Sequence, residues 1–309
     1  MSAKTQPSVA FAAAVAGKGA ARAVAKRNRK MSLTSEGRRP GWPTYLLLGL
    51  VILVSIYPLY YAVQLSSLTV DQMHDFPGLG FGSMLWSNLV TAFNDLNFVK
   101  AFLNTLMVAV IMSVSVVAFS TLAGYTFAKL RFKGRGPLMV FVVATMAIPA
   151  QLSAIPLYII MSKLGLYGSL AAVILPGLVT AFGVFWMTQY ITAALPYELI
   201  EAARVDGCSM IKTFYHVAIP AALPAGALLA LFTFVAQWTN YYWPMLIIGT
   251  NSSNNPLLTL AVANLAGGNM QNYTIMMAGV VLSAFPLIIL FFVAGKQLVA
   301  GIMAGAVKG

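Results

Sequence analysis

Charge is what this chain has least of. Aspartate, glutamate, lysine and arginine together make up 8% of its 309 residues, while hydrophobic residues make up 60%. An ordinary soluble domain carries roughly 25% charged residues, so a water-facing surface cannot be built here and most of the chain must face lipid or other apolar helices. Cysteine is nearly absent as well: Cys208 stands alone, which excludes an internal disulfide framework. The two histidines, His74 and His216, are far apart and have no cysteine or carboxylate at metal-ligand spacing, so no metal site is indicated. The phosphate-cradling pattern G-x-x-x-x-G-K-S/T is missing, and Gly17-Lys18-Gly19 falls far short of it. Neither a metal nor a nucleotide is expected to bind to this chain.

The few charges are placed with a strong bias. The formal net charge is +12, and nine of the nineteen Lys and Arg residues precede Trp42, among them Lys26, Arg27, Arg29 and Lys30. No interleaved aromatics and no helix-turn-helix pattern accompany them, so nucleic acid is not the expected partner. Residues 1–43 read instead as a basic cytoplasmic segment lying beside anionic lipid. The short apolar run Val9–Ala16 has the look of a leader core, but Lys18, Arg22 and the basic cluster follow at once, so cleavage is not expected.

Residues 44–309 read as a single transmembrane domain. Six stretches reach the roughly 20 apolar residues a bilayer requires: Thr44–Ser66, Asn104–Ala128, Leu138–Met161, Leu170–Ile191, Ala221–Ile248 and Thr274–Val299. Segments this long must satisfy their own backbone hydrogen bonds in lipid, which makes the expected fold class an all-α membrane protein. With both termini in the cytoplasm, seventeen of the nineteen basic residues lie inside, and only Lys100 and Lys163 fall outside. That asymmetry fixes the expected orientation. Between the first two spans, the run Ser87–Phe102 has apolar residues near helical spacing and predicts a short amphipathic helix at the outer surface.

No Asp, Glu, Lys or Arg lies well inside any of the six stretches. Proton-coupled transporters usually keep ionisable groups there, so the driving energy is expected to enter from outside the membrane region, with sodium coupling through backbone carbonyls left open as an alternative. Pro58, Pro149, Pro156, Pro176, Pro224 and Pro286 do lie within spans, where each removes a helix hydrogen bond. Pro149 and Pro156 are read as either a hinge or a static kink. Hydrogen-bonding side chains beside flat apolar faces within the spans are candidates to line a solute pathway. Gln151 in the third stretch, with Gln237, Trp238, Asn240 and Tyr241 in the fifth, supply both chemistries and form the candidate pathway. The competing reading of the same residues is interhelical hydrogen bonding and an interfacial aromatic belt.

The connection between the fourth and fifth stretches, residues 192–220, is long for a cytoplasmic loop and carries Glu198, Glu201, Arg204, Asp206 and Lys212. Pro196 suits a first helical position, and Glu198 and Glu201 favour the positive end of the helix dipole. Gly207 is placed to end that helix, Ser209 to cap a second short one toward His216, and Pro220 to open the next span. A loop with this much structure reads as a docking hairpin.

The hairpin resembles the EAA loop of ABC importer permeases. Glu201-Ala202-Ala203 is followed by three residues, Gly207, nine residues and Val217-x-Ile219-Pro220; the family pattern differs only in having Ile and Leu where this chain has Val217 and Ile219. AGYTFAKLRFKGRG, IPAQLSAIPLYII, QWTNYYWPML and the C-terminal GAVKG resemble carbohydrate permeases of the maltose/multiple-sugar type. The resemblance implies a six-span permease subunit of a bacterial inner-membrane sugar importer with no ATPase site of its own. It implies a separate ATPase dimer that binds ATP and Mg, a second homologous permease and an extracytoplasmic sugar-binding protein. Glu201, Ala202, Ala203, Asp206, Gly207 and Pro220 would form the ATPase-coupling site, with the two alanines keeping the docking face slim. Permeases for glycerol phosphate or another small polar solute stand second, and a secondary transporter behind them.

Overall fold

The computed structural model describes residues 41–74, 78–249, 254–265 and 273–306. The basic segment read at 1–43 therefore lies outside the described residues except for its last three. Among the described residues all regular structure is helical. Five helical runs are long and apolar enough to cross a membrane: Trp42–Ser66, Phe98–Lys129, Leu170–Ala194, Met210–Trp238 and Tyr273–Val293. A sixth crossing exists only if Arg135–Met146 and Ala150–Lys163, bent by 98° to each other, count as one span.

The chain divides into two units between Pro58 and Leu59. In the first, helix α1 (Trp42–Ser66) begins, and its residues Tyr45 to Tyr57 are almost all exposed apolar side chains, a surface suited to lipid. The second unit starts with the end of α1 and a polar cap. Gln64, fully buried, donates to the carbonyls of Gly78 and Gly80, and Ser67 Oγ accepts from Gly82 N at 2.8 Å. Asn88 Nδ2 donates to Ser66 O at 2.8 Å and Leu68 O at 3.0 Å. Short α2 (Val70–His74) and α3 (Leu85–Asp95) belong to this end of the molecule, and α3 packs on α14 (Tyr273–Ala306).

The run Ser87–Phe102, expected as one surface helix, is two helices. Asn97 adopts a left-handed φ of 46°, a conformation that asparagine tolerates better than most residues, and it separates α3 from α4 (Phe98–Lys129). The second crossing therefore starts six residues before Asn104 and takes Lys100 into its first turn.

The centre is a trio of helices: α4, α8 (Ala181–Ala194) and α11 (Ile219–Trp238). Lipid is as apolar as leucine, so close van der Waals packing rather than water exclusion must hold such helices together. Small residues permit that packing. A Cβ on Gly124 of α4 would stand 2.7 Å from Met187 Cβ and 2.8 Å from the Met187 carbonyl carbon, and one on Gly183 of α8 would stand 2.4 Å from Ser120 Oγ. Indole N–H groups add bonds between elements. Trp186 donates to Ala225 O at 3.2 Å, Trp238 to Ser283 O at 3.1 Å, and Trp243 to Ala172 O at 3.1 Å.

Three expected continuous spans are interrupted. The third breaks into α5 (Arg135–Met146) and α6 (Ala150–Lys163) at Pro149, which adopts ψ 128° and opens α6; proline also drives its preceding residue out of the helical region. The fourth runs as α7 (Leu170–Ile174), a tight turn Leu175–Gly177 and then α8, capped by Thr180 Oγ1 accepting from Gly183 N at 3.1 Å. Ser115 of α4 donates to the carbonyl of Leu178 in this break. The fifth ends at Trp238 instead of Ile248, and α12 (Tyr242–Ile248) follows separately. Pro244 explains that stop: it has no N–H for the carbonyl of Asn240 four residues earlier, and Thr259 Oγ1 donates to that carbonyl at 2.9 Å instead. Thr259 lies on α13 (Leu258–Leu265), whose first N–H donates to Thr105 Oγ1 at 3.0 Å.

Candidate functional site

Two places in the fold carry the residues singled out in the sequence. The first is the elbow between α8 and α11. Helix α9 (Tyr197–Val205) starts after Pro196, which is its N-cap in extended conformation and not its first helical residue. Its end is closed by a Schellman turn: Cys208 N donates to Ala203 O at 2.9 Å, Gly207 N donates to Arg204 O at 3.0 Å, and Gly207 has φ 79°. No neighbour lies within 4 Å of a Cβ built on Gly207, so backbone conformation alone requires glycine there. Ser209 Oγ then accepts from Lys212 N at 3.4 Å and opens α10 (Met210–Thr213).

The expected second arm of the hairpin is not a separate helix. From Met210 the chain runs without a break through a wide π turn, Phe214–Ala218, into α11. The wider turn precedes Pro220, which offers no N–H to the carbonyl of His216 and would crowd it in an ordinary α turn.

The elbow is rooted in the core on one side and bare on the other. Ile200, Thr213 and Ala218 are buried, and the Phe214 ring packs at a tilt, 5.4 Å between centroids, against Tyr125 of α4. Ala203 is 8% exposed and faces its own molecule, while Glu201, Ala202, Asp206, Gly207 and Pro220 are exposed. Large apolar side chains surround the turn unburied: Val205 is 88% exposed, Ile211 70%, and Leu199, Met210 and Tyr215 are more than half exposed. Sequence reasoning picked out the charged and small residues but passed over these. Their signal was legible, since α9 is amphipathic yet Leu199 and Val205 fall off its buried Ile200–Ala203 face.

The second place is the break after α11. Gln237, Asn240 and Thr259 line a small pocket with Thr105, Val108, Val173, Pro244 and Leu257. Asn240 Nδ2 donates to Gln237 Oε1 at 3.3 Å. Of the expected pathway residues, Gln237 and Asn240 meet here. Tyr241 is exposed beside them, and Gln151 is exposed on α6. Trp238 is 3% exposed, stacked 5.5 Å from Phe234 and edge-on to Phe102, and packs between helices. Thr105 and Thr259 were missed because they come from α4 and α13, and nothing local marks them.

Residues 117–303 match the family described as binding-protein-dependent transport system inner membrane component. The chain is 30% identical to the lactose transport system permease protein LacG of Rhizobium radiobacter over 278 residues, covering 90% of this chain and all of that one. It is 34% identical to the arabinooligosaccharides transport system permease protein AraQ of Halalkalibacterium halodurans, over 67% of this chain and 73% of that one. A solved structure of a bacterial ABC transporter involved in the import of the acidic polysaccharide alginate matches with TM-score 0.70 and 25% identity, over 82% of this chain and 94% of that chain.

Proposed function

Since this chain belongs to the family of binding-protein-dependent transport system inner membrane components, and is a permease subunit of an ABC importer, we propose that it carries sugars or oligosaccharides and is driven through the elbow at residues 192–220. The observation that carries the coupling reading is the pairing of a bare apolar tip with a buried root: Val205 and Ile211 are exposed beside Glu201 and Gly207, while Ile200, Thr213 and Ala218 are locked into the bundle. An apolar tip of this kind on the water side calls for a protein groove. A separate ATPase dimer, binding ATP and Mg, supplies that groove, with Glu201 pairing to one of its basic residues. Closing of the ATPase pair pulls the elbow and rocks the bundle between inward- and outward-facing forms. The elbow lies at the end of the bundle with Lys129, Arg131, Lys133 and Arg135, the end that basic residues assign to the cytoplasm.

The second permease, similar in fold, completes the pathway, and an extracytoplasmic binding protein delivers the solute at the opposite end. The sugar reading draws on the lactose and arabinooligosaccharide permeases named above and on the pocket. Its lining mixes amide and hydroxyl groups with apolar side chains and holds neither lysine nor arginine, which suits a neutral solute over glycerol phosphate; with room for little more than a water it marks a point on the route and does not enclose a sugar. Gln237 and Asn240 are the residues proposed to meet it, with Tyr241 and Gln151 flanking the route and Trp238 holding the break in place.

One experiment tests the docking directly. An Ile211→Cys variant, with Cys208 replaced by serine, is expected to crosslink in membranes to the ATPase subunit and to be protected from thiol reagents added outside intact cells. Labelling from outside, or no crosslink to any second polypeptide, overturns the coupling reading.

A further inference from the structure

In the sequence Lys129 is one of several basic residues that orient the chain. Its place in the fold is more particular. Lys129 is the last residue of α4 and is 6% exposed. Its Nζ donates to Thr192 O, in the last turn of α8, at 3.2 Å, and stands 4.7 Å from the centroid of the Tyr197 ring. Tyr197 is the first residue of α9, and its hydroxyl donates to Ala128 O at 3.2 Å. Arg135 Nη2 reaches the same carbonyl at 3.4 Å. Three elements therefore meet at one polar knot: the C-terminal ends of α4 and α8, whose unpaired carbonyls attract cations, and the start of α9.

Burying an ammonium is costly unless its partners are fixed. A lysine that only marked the inner membrane boundary would extend to water. This one is folded back under an aromatic face and holds a neighbouring helix by its terminal carbonyl.

We propose that Lys129 and Tyr197 are positioning residues of energy coupling. They clamp α9 to the ends of α4 and α8, so that displacement of the elbow by the ATPase moves α9 and the inner half of α4 as one body. The proposal rests on the docking reading above. Without the clamp, α9 keeps only its apolar anchor through Ile200 and Ala203, and part of its motion is lost before it reaches α4.

The test uses the complete transporter with its ATPase in nanodiscs, with Cys208 replaced by serine and spin labels at Leu199 of α9 and Leu122 of α4, in a labelled protein first shown to keep its ATPase and ATP-driven uptake. Both positions are exposed. A second pair, Leu199 with Ile289 of α14, reports movement of the elbow against the rest of the bundle. Between the nucleotide-free state and ATP trapped with orthovanadate, the wild type is expected to change the 199–289 distance and keep the 199–122 distance. In Lys129→Met and in Tyr197→Leu the 199–122 distance is expected to shift or broaden by about 2 Å, the scale of packed-helix slides. Lys129→Arg restores the wild-type behaviour, and Tyr197→Phe, which keeps the ring and loses one hydrogen bond, lies between. Tyr197 is itself 41% exposed, so its variants fold even where Lys129→Met does not. An unchanged 199–122 distance in both Tyr197→Leu and Lys129→Met, or no rescue by arginine, overturns the clamp. If the ATPase does not co-purify with the wild type, or trapping leaves the 199–289 distance unmoved, the docking reading falls instead.

Discussion

Glu201→Lys is expected to abolish ATP-driven uptake while the protein still inserts in the membrane at its usual level. Glu201 is exposed on α9, so the fold loses nothing when its charge is reversed. The loss falls on the interface. Leaving one member of a desolvated interfacial charge pair unpaired costs about 2–5 kcal/mol, and placing a like charge there adds repulsion. Association with the ATPase should then fall by roughly a hundredfold or more. Gly207→Val reaches the same end by another route. At φ 79° a β-branched residue is strained by about 1–2 kcal/mol, and the Schellman turn that aims Val205 and Ile211 opens. Co-purification of the ATPase and uptake, each normalised to protein in the membrane, are the measurements. Full uptake by both variants removes the docking role from the elbow.

Gly124→Val is expected to fail earlier, at folding. The added atoms would meet Met187 carbon and Thr188 nitrogen of the facing backbone at 2.8 and 2.9 Å, and backbone cannot rotate away as the end of a flexible side chain can. Helices α4 and α8 must separate, and overpacking of this kind costs about 1–3 kcal/mol and sometimes more. Gly177→Ala provides the contrast: there the obstacle is Met112 Cε, the tip of a flexible side chain, and the effect should be smaller. Thermal unfolding of the purified chain in detergent checks both. A Gly124→Val protein as stable as the wild type would show that the α4–α8 crossing is not held by backbone contact.

The helical class and the elbow were both legible in the residues, because each rests on local chemistry. Hydrophobic length alone gives membrane helices, and Gly207 and Ser209 mark the end of one helix and the start of the next. The breaks in the spans were legible only in part. Pro149 and Pro156 were visible, but the 98° bend between α5 and α6 depends on what those helices pack against, which a proline does not specify. Pro244 signalled the stop after Trp238, yet it sat within an apolar run long enough to hide it. The polar pocket could be read only by half: Gln237 and Asn240 were visible, while Thr105 and Thr259 join them only when α4 and α13 close around the break. Trp238 shows the limit of residue type as a guide: an indole serves a sugar face and a helix interface equally well, and only its burial against Phe102 and Phe234 tells which neighbours it has.

The unbroken passage from Met210 through the π turn into α11 has a mechanical meaning. Twenty-nine residues in one rod extend about 43 Å at 1.5 Å per residue. A tilt of about 5° applied at the Ser209 end would sweep the far tip through about 4 Å over that length. That tip carries Gln237, with Asn240 two residues beyond its end; on the coupling proposed above, the rod would act as a lever arm between the elbow and the polar pocket.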